Sequence, residues 1–243
     1  MSLPRHDSPN YGLARRTIAM RWLRAPWDYL DACGRVDELN ERTRTVEEIV
    51  HAALDLGSHG MFEVKASQVP SEISGLAHRV EALRPSVIVE IGVYKGGTGL
   101  IWSHLASDLV VLCDLRNLWL ERSLLQRFPA HGHPRLEILC GNSHETAFKS
   151  RLVKTLDGRP IDFLFIDGDH SLAGIRQDFA DYSPLVRPGG LIACHDIVPQ
   201  QPFPETQVPT FWAELKAEGK YQVEEFVEDW NQVGYGIGVV QVR

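Results

Sequence analysis

Continuous runs of apolar residues recur in the later two thirds of the chain, each followed by a polar or glycine-containing segment. Five runs are rich in Val, Ile and Leu, and they occupy residues 86–92, 109–115, 135–141, 161–167 and 190–197. Short apolar runs separated by amphipathic segments of helical length are typical of strands buried on both faces of a parallel sheet. The pattern therefore predicts an α/β fold with an open, doubly wound sheet.

Two further strand-like runs, 221–229 and 234–243, lie near the end of the chain and are joined by the turn WNQV. They predict a terminal hairpin, which brings the Rossmann-like sheet to seven mostly parallel strands. Helical spacing of apolar residues between the runs predicts helices. These helices are expected at residues 97–107, 117–128, 144–156, 171–186 and 210–219.

The first 85 residues show helical spacing and no strand pattern. We predict a helix within residues 15–34 that is interrupted at Pro26, because proline removes a backbone donor from a helix interior. Two more helices are predicted at residues 45–57 and 70–85. We therefore predict a helical N-terminal cap over residues 1–85 and a sheet-containing domain over residues 86–243. Because the cap carries aromatic residues and has no sheet of its own, we expect it to contact a second copy of the chain.

Composition narrows the choice of partners. The net charge is -7 and the pI is near 5.8, which argues against binding to nucleic acid because phosphate contacts need a basic surface. No apolar stretch approaches the roughly 20 residues of a membrane span. The N-terminal residues lack the apolar region of a secretory signal, and the four cysteines lack metal-type spacing. We expect a cytoplasmic protein with reduced cysteines.

Acidic residues end four of the five predicted parallel strands. These residues are Glu90, Asp114, Asp167 and Asp196. Ligands of open α/β sheets bind beyond the carboxyl ends of the strands, so acids at equivalent ends are expected to surround one site.

The turn after the first strand indicates which ligand that site takes. A dinucleotide fingerprint, G-x-G-x-x-G, needs its second glycine where this chain has Tyr94, which disfavours a nicotinamide dehydrogenase. The layout that matches is E-x-G-x-x-x-G-x-[ST], from Glu90 to Thr98. Asp114 follows at the end of the second strand, where its carboxylate can accept two hydrogen bonds from a ribose diol.

Residues 86–243 resemble the class I S-adenosylmethionine-dependent methyltransferases. EIGVYKGGT is similar to the first motif of the catechol-type, metal-dependent O-methyltransferases. FLFIDGDHS followed by LIACHDI is similar to the cephalosporin hydroxylase and macrolide sugar O-methyltransferase group. The resemblance implies methyl transfer to a hydroxyl of a small molecule, a sugar or a natural product. A hydroxylase-like protein, or an accessory protein that binds the cofactor without methyl transfer, is the alternative.

The resemblance also assigns residues to the cofactor. They are Glu90, Gly92, Tyr94, Gly96, Gly97, Thr98, Asp114, Asn142, Ser143 and Asp167. Glu90 and the turn from Gly92 to Gly97 would hold the methionine end, and Thr98 would bind its carboxylate. Asp114 would take the ribose hydroxyls. Ser143, with its neighbours Asn142 and His144, would face the adenine.

Two adjacent strand ends, DGDH and HD, concentrate groups that bind metals and protons. The resemblance implies a divalent cation held by Asp167, His195 and Asp196, with His170 as the base for the acceptor hydroxyl. Oxygen ligands favour Mg²⁺, whereas the imidazole of His195 suits Mn²⁺, Fe²⁺ or Zn²⁺ better. The alternative is a hydrogen-bonded polar cluster that only shapes the loops, with His170 supporting its neighbours.

Overall fold

In the computed structural model of the chain, residues 11–56, 62–130 and 133–243 are described, with side chains from residue 23 onward. The strands are β1 Val87–Ile91, β2 Leu109–Asp114, β3 Arg135–Cys140, β4 Ile161–Ile166, β5 Val186–His195, β6 Gln222–Phe226 and β7 Ile237–Gln241. The helices are α1 Tyr11–Asn40, α2 Val46–Asp55, α3 Pro70–Leu83, α4 Gly97–Leu105, α5 Arg122–Leu125, α6 Thr146–Leu156, α7 Leu172–Tyr182 and α8 Val208–Glu218. No helix in these ranges has the length and apolar character needed to cross a bilayer.

The strands form one seven-stranded sheet in the order β3-β2-β1-β4-β5-β7-β6. The first five strands run parallel, and β7 pairs antiparallel with both β5 and β6. The predicted α/β class, the doubly wound sheet and the hairpin are confirmed. The strand order reverses between β1 and β4, which is where open α/β sheets place their ligand crevice.

Alternation along the strands divides the core into two layers. Ile88 and Phe163 face a layer formed by α1 to α4, whereas Val87 and Leu164 face a layer formed by α6 to α8. Successive side chains of a strand point to opposite faces, so a continuously apolar strand must be covered on both sides. This requirement brings α2 and α3 onto the sheet. The division into a cap (1–85) and a second domain (86–243) stays a prediction.

The predicted interruption at Pro26 is wrong, because α1 continues through this residue to Asn40. Proline removes one backbone donor, but its fixed φ is close to the helical value, so a long helix can continue with one bond missing. Leu23 and Trp27 on this part of α1 are exposed. Gly57, the predicted end of α2, lies outside the described residues.

The predicted helix at 117–128 is largely wrong as well, since only the single turn of α5 forms there. Asn117 Oδ1 accepts a hydrogen bond from the backbone N–H of Trp119 at 3.2 Å. Asparagine side chains that bond to the nearby backbone in this way compete with helix formation. The remaining predicted helices between strands correspond to α4, α6, α7 and α8.

Candidate active site

Gly92 allows the ends of β1 and β4 to approach each other closely. Its φ is 94°, and a Cβ atom at this position would overlap the carbonyl oxygen of Asp167. Its N–H donates to the Cys113 carbonyl at 2.8 Å, which ties the turn to β2 as well. Only glycine fits this position, and it brings three strand ends together.

Gly96 and Gly97 allow close packing at the start of α4. A Cβ atom on Gly97 would overlap the backbone nitrogen of Ala66, and one on Gly96 would lie 2.6 Å from a methyl carbon of Leu125. Both positions face protein, and neither lines the two clefts described below. These glycines therefore make room for the helical layer, and their predicted place at the methionine end of the cofactor stays a prediction.

Glu90 also lies beneath the site and not in it. Its side chain is completely buried, and its Oε1 accepts a short hydrogen bond from the Thr98 hydroxyl. Burial raises the pKa of Glu90 well above its usual value. Glu90 lines neither cleft, so it anchors the first turn of α4 through Thr98, whereas Thr98 itself reaches a cleft.

Two clefts meet at the carboxyl edge of the sheet. The β2–β3 cleft, of about 530 Å³, is lined mainly by residues that follow β2 and β3. The β4–β5 cleft, of about 590 Å³, lies beyond β4 and β5 and beside the segment before α3. Both are lined by the same four residues, which form a shared wall: Gly92, Tyr94, Asp167 and His170. A molecule in either cleft would therefore contact this shared wall.

Asp114 organises the β2–β3 cleft. Its Oδ2 accepts from the backbone N–H groups of Val93 and Tyr94 at 3.2 and 3.1 Å. Its Oδ1 accepts from the backbone N–H of Arg116 at 2.7 Å, and the Arg116 guanidinium donates to Asp114 and to the Tyr94 carbonyl. Tyr94 has a left-handed φ of 50°, which is uncommon for a tyrosine and is supported by these contacts.

The far side of this cleft is formed by residues 142–144, as predicted for Asn142, Ser143 and His144. Sequence analysis missed two supporting residues on α7. The Tyr182 hydroxyl donates to the Ser143 carbonyl, and Asp178, completely buried, lies 3.3 Å from Nε2 of His144. Burial raises the pKa of Asp178. Asp178 and Tyr182 are ordinary residues for an amphipathic helix, so the sequence alone does not indicate their role.

The β4–β5 cleft brings together all four residues predicted for metal and proton chemistry. Asp167 Oδ1 lies 3.1 Å from His195 Nδ1 and 3.3 Å from His170 Nε2. His170 Nδ1 lies 3.2 Å from Asp196 Oδ2, so its ring bridges the two carboxylates. Two imidazoles and two carboxylates thus converge at the ends of β4 and β5.

The charges in this cluster depend on one another. Burial alone would lower the pKa of His195, but Asp167 and Asp196 outweigh burial and raise it to about 9. The hydrogen bond to Asp167 raises the pKa of His170. Burial would raise the pKa of Asp167, but the two imidazoles hold it well below its usual value. Each carboxylate and its neighbouring imidazolium therefore stabilise each other.

The donor set fits a divalent cation. Ligand atoms of Asp167, His170 and Asp196 all lie within 4.8 Å of one another. His195 Nδ1 lies 3.1 Å from Asp167 Oδ1 and 3.5 Å from Asp196 Oδ1, so the predicted third ligand is also within reach. Mixed carboxylate and imidazole donors suit Mn²⁺, Fe²⁺ or Zn²⁺. The geometry makes His170 a candidate ligand as well, whereas the sequence analysis predicted His195 for this role.

Loops after β5 and before β7 form the outer wall of the β4–β5 cleft. Phe203, Val233 and Tyr235 line it and are 60%, 62% and 37% exposed. The backbone N–H of Tyr235 donates to Asp196 Oδ1 at 3.0 Å, which fixes the wall to the cluster. Sequence analysis did not identify Val233 and Tyr235, because their letters are ordinary for loops.

Comparison with known proteins agrees with this geometry. Residues 89–197, less than half of the chain, match the family described as a methyltransferase domain. An O-methyltransferase from Bacillus cereus, solved in complex with SAH, has a TM-score of 0.55 and 20% identity over 89% of this chain and 98% of that one. TomG of Streptomyces achromogenes, an O-methyltransferase involved in tomaymycin synthesis and solved with SAM, has a TM-score of 0.55 and 18% identity over 89% and 97% of the two chains.

Two further matches cover smaller parts of longer chains. MycE, a methyltransferase of the mycinamycin biosynthetic pathway solved with Mg and SAH, has a TM-score of 0.52 and 19% identity over 82% of this chain and 55% of that one. The uncharacterized protein y4gI of Sinorhizobium fredii (strain NBRC 101917 / NGR234) is 27% identical over 148 residues. That match spans 57% of this chain and 16% of y4gI.

Residues 89–197 match a methyltransferase domain, and the whole sheet has the fold of the class I methyltransferases. The predicted fold is confirmed, and the methyltransferase-domain match over residues 89–197 agrees with the predicted kind of enzyme. The roles of individual site residues, the acceptor and the requirement for a metal stay predictions.

Proposed function

We propose that the chain is an O-methyltransferase that binds S-adenosylmethionine in the β2–β3 cleft and across the shared wall, and a small-molecule hydroxyl in the β4–β5 cleft. The observation that carries this proposal is the shared wall itself. Gly92, Tyr94, Asp167 and His170 line both clefts, so donor and acceptor would meet beside groups able to handle a proton.

The cofactor is expected to extend from the end of β3 to the start of α4. Asp114 accepts hydrogen bonds from the ribose hydroxyls, and Asn142 and Ser143 face the adenine. Thr98 and the N–H groups at the start of α4 bind the methionine carboxylate, since helix N-termini favour anions. S-adenosylmethionine supplies an electrophilic methyl group, and Tyr94 and Gly92 would border it at the shared wall.

The β4–β5 cleft supplies the groups that activate a hydroxyl. Asp167 and Asp196, with His195 or His170, would hold a divalent cation, which supplies Lewis acidity toward a hydroxyl oxygen. Where His195 completes the cation site, the cation would neutralise Asp167 and Asp196 and leave a neutral His170 in the shared wall to take the proton of the acceptor, since an imidazole can exchange protons near neutral pH. Gln68 and the outer wall exclude water around these groups.

The outer wall indicates the kind of acceptor. Phe203, Val233 and Tyr235 expose apolar surface to the same cleft that holds the polar cluster. A cleft with an apolar rim and a polar floor suits a natural product whose hydroxyl is attached to an apolar ring system. TomG and MycE, which act in the tomaymycin and mycinamycin pathways, support this class of acceptor.

Calorimetric titration with S-adenosylhomocysteine tests the cofactor half of the proposal. Asp114→Asn should weaken binding about 10- to 100-fold, because hydrogen bonds to a charged acceptor are lost. Asp108→Asn is the matched control, since Asp108 precedes β2 and pairs with Arg159 away from both clefts. Unchanged affinity in Asp114→Asn would remove Asp114 from the site.

Transfer of a labelled methyl group to phenolic and sugar hydroxyl acceptors tests the catalytic half. We expect turnover that is lost on chelation and restored by Mn²⁺ or Mg²⁺. Full activity in the presence of chelator would contradict the metal assignment. Cofactor binding without transfer to any acceptor would favour the accessory protein instead.

A further inference from the structure

Gln68 lies before the matched methyltransferase domain, yet it lines the β4–β5 cleft. The residue is only 9% exposed, and its Nε2 donates to Asp167 Oδ2 at 3.2 Å. A carboxylate can only accept, so the amide nitrogen must face Asp167 and the amide oxygen must face away. That oxygen, Oε1, is buried, and no donor within the described ranges reaches it.

A buried acceptor without a donor is unfavourable, and folded proteins rarely leave one without a reason. A ligand that brings an N–H or O–H group to Gln68 would remove this deficit. Asp167, bonded to the same side chain, adds a negative charge next to that position. The preferred donor is therefore a cation.

The surroundings of Gln68 place it at one particular end of the cofactor. The backbone of Lys65 bridges to Lys95 and Gly96, which brings residues 65–68 beside the start of α4. Thr98, the proposed partner of the methionine carboxylate, lines the same cleft as Gln68. The ammonium and carboxylate of an α-amino acid share one carbon, so their binding groups must be neighbours.

We propose that Gln68 is a cofactor-binding residue whose Oε1 accepts a hydrogen bond from the α-ammonium group of S-adenosylmethionine, beside the Asp167 carboxylate. The inference rests on the proposed function and extends it. Asp167 then contacts two groups, with Oδ1 toward the histidines and Oδ2 toward Gln68. The segment before α3 thereby selects a cofactor that carries an intact amino-acid moiety.

The test compares two ligands that differ only at the amino-acid end. S-adenosylhomocysteine has the ammonium group, whereas 5′-methylthioadenosine keeps the adenosine and the thioether without it. Both are titrated calorimetrically into the full chain and into Gln68→Met, which keeps the side-chain length and loses the amide. Gln201→Met is the matched control, since Gln201 lines the same cleft but donates to the backbone oxygens of Asp196 and Val198.

We expect Gln68→Met to weaken S-adenosylhomocysteine binding about 10- to 100-fold and to leave 5′-methylthioadenosine binding unchanged. Gln201→Met should bind both ligands normally. Normal S-adenosylhomocysteine affinity in Gln68→Met, or an equal loss for both ligands, would overturn the assignment.

Titration with Mn²⁺ in the same variants separates direct contact from displacement of Asp167. Unchanged Mn²⁺ affinity in Gln68→Met supports direct contact, whereas a parallel loss of Mn²⁺ and S-adenosylhomocysteine affinity would show that Gln68 acts through Asp167. If the unmodified chain bound neither nucleoside ligand, the proposed function would fail, and this inference with it. A chain that binds 5′-methylthioadenosine and S-adenosylhomocysteine equally well would contradict only the inference.

Discussion

Carboxylates at the strand ends differ in depth, and depth decides what each one does. Glu90 is completely buried and accepts a hydrogen bond from Thr98, whereas Asp114 is 8% exposed and borders a cleft. An ionised carboxylate in a core is costly unless it is paired, so a buried acid tends to hold its proton. Glu90 is therefore an internal anchor, and Asp114, Asp167 and Asp196 are the acids that can meet a ligand.

Glu90→Gln should preserve the fold. Its free energy of unfolding should rise, relative to that of the unmodified chain, as pH rises. Burial raises the pKa of Glu90, so the folded state binds this proton more tightly than the unfolded state does. Stability contributed by Glu90 is then complete below its unfolded pKa and falls as pH rises toward the folded pKa. Thermal unfolding at about pH 5 and about pH 8 measures the difference.

The control for this experiment is Glu137→Gln, the same substitution at a partly exposed acid on β3. S-adenosylhomocysteine affinity of Glu90→Gln should stay within about threefold, because no direct contact is lost. A large loss of affinity would show that Glu90 does touch the cofactor.

His170→Gln should lower the rate of methyl transfer by about 10²- to 10⁴-fold while S-adenosylhomocysteine still binds. Its imidazole bridges Asp167 and Asp196 at the shared wall, where the proton of the acceptor must leave. Single-turnover kinetics with a labelled methyl group measure the change.

His78→Gln is the matched control, because His78 also lies between two carboxylates, Glu47 and Glu81, but far from both clefts on the surface of α3. It should transfer methyl groups at the normal rate. Normal turnover in His170→Gln would place the base elsewhere.

One buried acid on α3 connects this helix to the segment between β6 and β7, which borders the site. Glu72 is 1% exposed and accepts three hydrogen bonds from the connection between β6 and β7. The donors are the Glu228 N–H at 3.1 Å, the Gln232 side-chain amide at 2.8 Å and the Gly236 N–H at 2.9 Å. Residues 233–235 of that connection line the β4–β5 cleft, so α3 positions the wall against which the acceptor would pack.

Glu72→Gln should loosen this connection without unfolding the protein. Whichever way the new amide turns, its nitrogen faces at least one N–H group, and a donor cannot bond to a donor. Hydrogen exchange should become faster at residues 232–236, and the KM for the acceptor should rise more than kcat falls. Glu228→Gln, an exposed change in the same connection whose side chain accepts a hydrogen bond from Ser71, should leave both unchanged. Equal exchange in the two variants would contradict the role of Glu72.

The whole molecule is one sheet with a helical layer on each face, and α2 belongs to one of these layers. Val46, Ile49, Val50 and Ala53 of α2 are buried in the same core as Ile88 and Phe163 of the sheet. In contrast, Leu23, Trp27 and Leu30 of α1 are exposed. The expected contact of the N-terminal segment with a second copy stays a prediction, and this exposed part of α1 is where truncation can test it.

Deletion of residues 1–30 should leave the fold and S-adenosylhomocysteine binding intact, and deletion of residues 1–56 should not. The longer deletion removes α2 and exposes the part of the core that α2 covers. Each fully buried aliphatic side chain stabilises the fold by about 1.5–3 kcal/mol, and the total stability of a domain is about 5–15 kcal/mol. Circular dichroism during heating measures stability, and light scattering measures mass. Normal melting after the longer deletion would show that α2 is dispensable. An unchanged number of chains per particle after the shorter deletion would exclude that segment from an oligomer contact.

Much of the fold follows directly from the order of the letters. Five apolar runs with helices between them require a sheet covered on both faces, and this requirement does not depend on distant contacts. The positions of Asp114, Asp167, His170, His195 and Asp196 at strand ends likewise place them at one edge. Local propensity predicted the wrong structure at two places. At Pro26 the helix continues with one backbone hydrogen bond missing, and at 117–128 a hydrogen bond from the backbone to the Asn117 side chain competes with the helix.

Tertiary structure alone decided what the polar groups touch. It placed Glu90, Gly96 and Gly97 against the helical layer, because the first turn of α4 packs on the residues before α3. It also brought Gln68 and Glu72, whose letters are unremarkable in sequence, to the cleft and to its wall. Sequence fixes which chemical groups reach the carboxyl edge, since each strand ends where its apolar run ends. Which of them face a ligand depends on close packing between segments far apart in the chain, and this information is absent from any local pattern.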